Sequence, residues 1–223
     1  MSRTAPTTQH LAAPLIGTGL LMAIYLLARP YGDTTGDDAA VAGAFASTWW
    51  IVAHLCGALA LASIGRLALR LHDLLATAWT RVARLTGLAG AVLVLPYYGA
   101  ETFGLYAVGR SAVNGTPAAL ELVDPIRNHP AALTTFGVGL LLLAVSGLAM
   151  AAGWSRAYTS AAAWPLGVLI AAVLPQFYLP PVGRQAFGVL YLLAAIWWLI
   201  HTRTATTAAA PVADGALRAA VRA

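Results

Sequence analysis

The chain has 223 residues, of which 60% are hydrophobic and only 9% charged, far below the roughly one quarter of charged residues with which a water-soluble domain covers its surface. Water is therefore excluded as its main solvent. The formal charge of +5 comes from basic residues that are all Arg, with no run of four or more and no interleaved stacking aromatics, so no nucleic-acid partner is expected.

Uncharged stretches close to the roughly twenty residues needed to cross about 30 Å of hydrocarbon predict six membrane helices. They run over 11–28, 47–66, 85–108, 131–153, 159–179 and 185–201, and only the third is interrupted by a charge, Glu101. The first run is longer than the apolar part of a secretory signal, and the nearest small-x-small sites, at Ala40–Ala42 and Ala44–Ala46, lie well beyond it. A retained first helix is expected.

Basic residues accumulate on the cytoplasmic side of a membrane. Arg66, Arg70, Arg81 and Arg84 flank the second connection, Arg156 lies in the fourth, Arg3 precedes the first span, and Arg203, Arg218 and Arg222 follow the last. Those segments are predicted inside. The first connection, with Asp33, Asp37 and Asp38, is predicted outside as a solvated loop rather than a cation site, as are the third, with Arg110, Glu121, Asp124 and Arg127, and the short fifth around Arg184. The expected fold is thus an all-α, polytopic six-helix bundle over 1–203, N-in and C-in, multi-pass in the inner (plasma) membrane, with a mobile cytoplasmic tail over 204–223. Residues 67–83 are read as two helix ends with Trp79 as an interfacial anchor. The lone Cys56 is read as a small packing residue, and neither a metal nor a cofactor is expected.

An ionisable group within a span costs a few kcal/mol unless it is paired, protonated or wetted, so Glu101 is the first candidate for chemistry. His54 is the second. Counted from Ser47 and from Val108, each lies seven positions from the predicted outer end, about 10 Å deep at 1.5 Å per residue, on helices joined by a short turn. A His54–Glu101 pair is therefore expected. Trp49, Trp50, Tyr97, Tyr98, Tyr106, Gln176 and Tyr178 fall at the same level and are candidate substrate-binding residues, with His129 and Thr134 nearby, although Trp and Tyr also anchor membrane interfaces without any site. Pro180 and Pro181 punctuate the fifth connection, where Arg184 is available to an anionic head group.

The run Leu95-Pro96-Tyr97-Tyr98-Gly99-Ala100-Glu101-Thr102-Phe103-Gly104-Leu105 resembles that of small integral membrane proteins of actinobacterial type. The resemblance covers the central helices, implies a helical membrane fold, and implies no activity.

The residues favour a membrane-embedded enzyme, a lyase or isomerase acting on a lipid or isoprenoid, with Glu101 as general acid or base, His54 setting its protonation, and aromatic faces stabilising positive charge. Small membrane terpene cyclases are similar in size and in using intramembrane carboxylates. That analogy calls for a second carboxylate at the pocket, and no other predicted span supplies one. A proton-coupled or small-solute transporter is the alternative, as is an accessory subunit in which Glu101 is an interhelical contact; a haem protein, with His54 and His129 as axial ligands, ranks lower.

Overall fold

The computed structural model describes the backbone of residues 7–220 and the side chains of residues 7–203; Arg3 and the side chains of the predicted tail, 204–223, lie outside the described residues. Every described element is helical, and five helices are long and apolar enough to cross a membrane: Thr8–Ala28, Thr48–Leu75, Ala78–Val113, Pro130–Tyr158 and Pro181–Arg203.

Local chemistry sets the ends of these elements. Helix α1 (Ala12–Ala28) stops at Arg29, which is extended because Pro30 follows it. Helix α2 (Asp38–Ala46) begins where the Asp37 carboxylate accepts the N–H groups of Ala39 and Ala40. Ser47 caps α3 (Thr48–Leu75) in the same way, and Ala76, in the left-handed region at φ 48°, ends it. Two residues later α4 (Ala78–Gly99) starts on a Thr77/Thr80 capping box. Residues 67–83 are therefore two helix ends, with Trp79 exposed and the Arg156 guanidinium 4.6 Å over its ring. A π-helical turn over Ala100–Gly104 joins α4 to α5 (Leu105–Val113). After the short α6 (Val123–Arg127), Pro130 opens α7 (Pro130–Tyr158) at a position that needs no amide donor.

The long helices approach closely through glycine. A Cβ on Gly90 would lie 2.7 Å from the Gly139 carbonyl oxygen, and one on Gly167 would lie 2.8 Å from that of Gly147. Small residues let helices pack in lipid, where no hydrophobic force drives them together. Polar ties add to this packing: Ser146 donates to the Ala83 carbonyl at 2.8 Å, and Thr18 meets the Tyr191 hydroxyl at 3.1 Å. On the outside, Leu59, Leu85, Val92, Leu141, Leu190 and Leu193 are each more than half exposed. So large an apolar surface suits acyl chains and not water.

Two expectations need correction. The predicted span 159–179 is not one helix: α8 (Trp164–Ala171) ends, a turn follows, and Pro175–Tyr178 form a 3₁₀ turn before α9 (Pro181–Ala220). Pro175 has no N–H, and its ring would collide with the Ala171 carbonyl, which is where α8 stops. The broken segment still runs antiparallel to α7, with Ile170 against Gly147 and Phe177 against Phe136. The second correction concerns Asp33, which is not in a solvated loop: its side chain is 3% exposed. Helices α2, α5 and α6 pack over this end of the bundle and hold it there.

Candidate functional site

Pro96 and the π turn prepare the centre of the site. Proline leaves the Val92 carbonyl without its helical donor, and the wider turn bonds the Leu105 N–H to the Ala100 carbonyl. The Glu101 carbonyl is thereby free to accept the Trp50 indole N–H at 2.7 Å, a bond that ties α3 to the turn. On the same turn the Glu101 carboxylate points towards α6, where Arg127 holds both of its oxygens, from Nε at 2.8 Å and from Nη2 at 3.2 Å. Tyr97 donates its hydroxyl to the same carboxylate at 3.3 Å.

The network continues outward through Asp33. Its Oδ2 accepts from Arg127 at 2.9 Å and from Arg29 at 2.6 Å, so the order is Glu101, Arg127, Asp33, Arg29. Trp50 lies beneath both guanidinium groups, 5.1 Å from Arg29 and 5.7 Å from Arg127. Burial works against the charge of Arg127, but Glu101 and then Asp33 outweigh it, and its pKa is raised. Arg127 is a permanent cation.

His54 sits one helical turn after Trp50. Its Nδ1 lies 2.8 Å from the Trp50 carbonyl, which only accepts, so Nδ1 carries the proton by this assignment. The lone pair of Nε2 then faces Glu101 Oε2 at 3.9 Å. A proton taken up at Nε2 would meet a carboxylate already fixed in place. Tyr25 packs edge-on to His54, with centroids 5.4 Å apart.

These groups form the polar side of a cavity of about 430 Å³, whose apolar side is Leu133, Phe136, Leu174 and Phe177. Of the candidates from sequence, Glu101, His54, Tyr97, Tyr98 and Tyr178 line it. Trp50 is fully buried behind the wall, and Tyr106 packs against the Phe45–Trp50–Leu105 cluster. Trp49 points outward, 59% exposed, and His129, just before α7, and Thr134, near its start, are exposed. Gln176 is buried off the cavity wall with both amide atoms unpartnered.

Arg29, Asp33, Arg127 and Arg184 complete the site and were not singled out from sequence for it, apart from the head-group role of Arg184. One signal was available: three of the four are basic residues in connections expected outside, where the charge rule disfavours them.

Together these features define a helical, multi-pass type of membrane protein with a charged cavity at one end of its bundle. Comparison with protein-family models, curated proteins and solved structures finds no match to the chain.

Proposed function

We propose that this protein takes a lipid or isoprenoid into the cavity and carries out acid/base chemistry on it, with His54 as the proton-transferring group and Glu101 as the carboxylate that holds the resulting imidazolium. The observation that carries this reading is the His54 ring, which lines the cavity with Nδ1 committed to a carbonyl and Nε2 turned towards Glu101. The roles anticipated from sequence are exchanged, because a carboxylate gripped at both oxygens by Arg127 is a poor proton donor. Asp33 supplies the second carboxylate that cyclase-like chemistry calls for, from a loop and not from a span. Tyr25, Tyr97, Tyr98 and Phe136 offer aromatic faces to a developing cation.

This reading goes with six crossings of the inner membrane, both termini cytoplasmic and the cavity in the outer half. Proton-coupled transport is the second reading. It is favoured by the interrupted segment 164–178, since broken helices line the binding sites of many transporters and Leu174, Phe177 and Tyr178 line this cavity.

The test is mass spectrometry of lipid extracts from cells expressing wild type, His54→Gln and Glu101→Gln at matched levels. A product made by wild type is expected to fall at least a hundredfold with either variant. Identical extracts from all three would refute the enzyme reading, and pH-driven uptake into reconstituted vesicles would then test transport.

A further inference from the structure

The charges around the cavity do not cancel. Arg29, Arg127 and Arg184 face Asp33 and Glu101, so three guanidinium groups meet two carboxylates and one positive charge is left when His54 is neutral. Arg127 spends its donors on both carboxylates, and the excess therefore belongs to Arg29 and Arg184. Arg29 is 8% exposed, yet its buried Nε has no hydrogen-bond partner. Arg184 donates Nε to the Leu179 carbonyl at 2.9 Å and Nη2 to that of Phe177, which fixes the guanidinium plane and leaves Nη1 with no bond among the described residues. The two cations come from distant parts of the chain, Arg29 just after α1 and Arg184 in α9, and raise each other's energy unless an anion lies between them. Beside them Asp33 Oδ1 is buried and lacks a donor.

From these observations we infer that the Arg29–Arg184 side of the cavity binds a singly charged phosphate ester bearing a hydroxyl group, the ester oxygens meeting the two guanidinium groups and the hydroxyl donating to Asp33 Oδ1. This inference rests on the amphiphile reading above and names its head group. A phosphodiester fits on three counts. Its single charge matches the excess, its two anionic oxygens on a tetrahedral centre can serve donors on separate helices, and its chain would lie along Leu133, Phe136, Leu174 and Phe177.

The experiment is a thermal-shift titration of the full chain in an uncharged detergent with three probes: dihexanoyl phosphatidylglycerol, dihexanoyl phosphatidylcholine and inorganic phosphate. Two variants accompany it. Arg184→Gln removes a cation, and Gly137→Leu fills the cavity from a position on its wall where a Cβ meets nothing within 4 Å. The expected result is a midpoint for phosphatidylglycerol at least tenfold lower than for phosphatidylcholine, raised to the phosphatidylcholine level in Arg184→Gln, with neither lipid acting on Gly137→Leu. Equal action of the two lipids on wild type, lost in Gly137→Leu, would overturn the head-group inference and leave the amphiphile reading standing. No shift with any probe would overturn both. Inorganic phosphate acting as strongly as phosphatidylglycerol would uphold the anion chemistry, assign it to free phosphate, and overturn the lipid source. If Arg184→Gln does not stay monodisperse, the ratio of the two lipids on wild type decides the question alone.

Discussion

Removing Arg127 would strand Glu101, which is left with Tyr97 and a histidine at 3.9 Å, while Asp33 keeps Arg29. Breaking one partner from a buried pair costs about 3 kcal/mol or more, whereas replacing both by apolar groups of similar size is often close to neutral. Arg127→Met is therefore expected to lower stability by about 3 kcal/mol, and Glu101→Met/Arg127→Met to recover more than half of that. Reversible unfolding in mixed detergent measures both, and equal losses in the single and double variants would show that the pair does not matter. Glu101 was legible in the sequence because a lone charge in an apolar run is conspicuous. Arg127 was not visible as its partner, because the two lie 26 positions apart in the chain and only the folding of α6 back over the π turn brings the guanidinium to the carboxylate.

Two of the glycines of helix α7, two residues apart, carry opposite expectations. A Cβ at Gly139 would meet Val94 Cγ1 at 2.8 Å and the Gly90 carbonyl oxygen at 3.1 Å, whereas one at Gly137 points into open space. Gly139→Leu should cost at least about 2 kcal/mol through overpacking, and Gly137→Leu should be neutral or gain up to about 1 kcal/mol of helix propensity. Similar losses from both would contradict the close α4–α7 approach. The segment between α1 and α2 offers a pH test. Tyr31 donates its hydroxyl to the Leu26 carbonyl at 2.7 Å, and burial pushes its phenol up from 10.0 to about 12. The folded form thus keeps a proton that the unfolded chain has released. Stability should be insensitive to this group below pH 10 and fall as pH rises from 10 towards 12, a slope that Tyr31→Phe removes in thermal melts across that range. At this scale hydropathy revealed where the long helices are, including the first part of α5 within the predicted span 85–108, but α2 and α6 were read as connections, because their lengths fall short of a span.

For the whole molecule, the six crossings proposed above would place residues 160 and 182 on opposite sides of the membrane. In a Cys56→Ala background, a cysteine at Val182 should react with a membrane-impermeant maleimide in intact cells, and one at Ser160 only after permeabilisation. Labelling of both in intact cells would mean that segment 164–178 dips in without crossing. Composition and hydropathy by themselves determined that the chain is helical and suited to a membrane, since roughly twenty apolar residues in a row satisfy both lipid and their own backbone only as a helix. They also picked out Glu101 and His54, because polarity out of place is a local property. The burial of Asp33 and the meeting of Arg29, Arg127 and Arg184 around one cavity were decided only by the tertiary structure. Ion pairing depends on distance in space, and the period of a sequence carries no information on which loop folds over which helix.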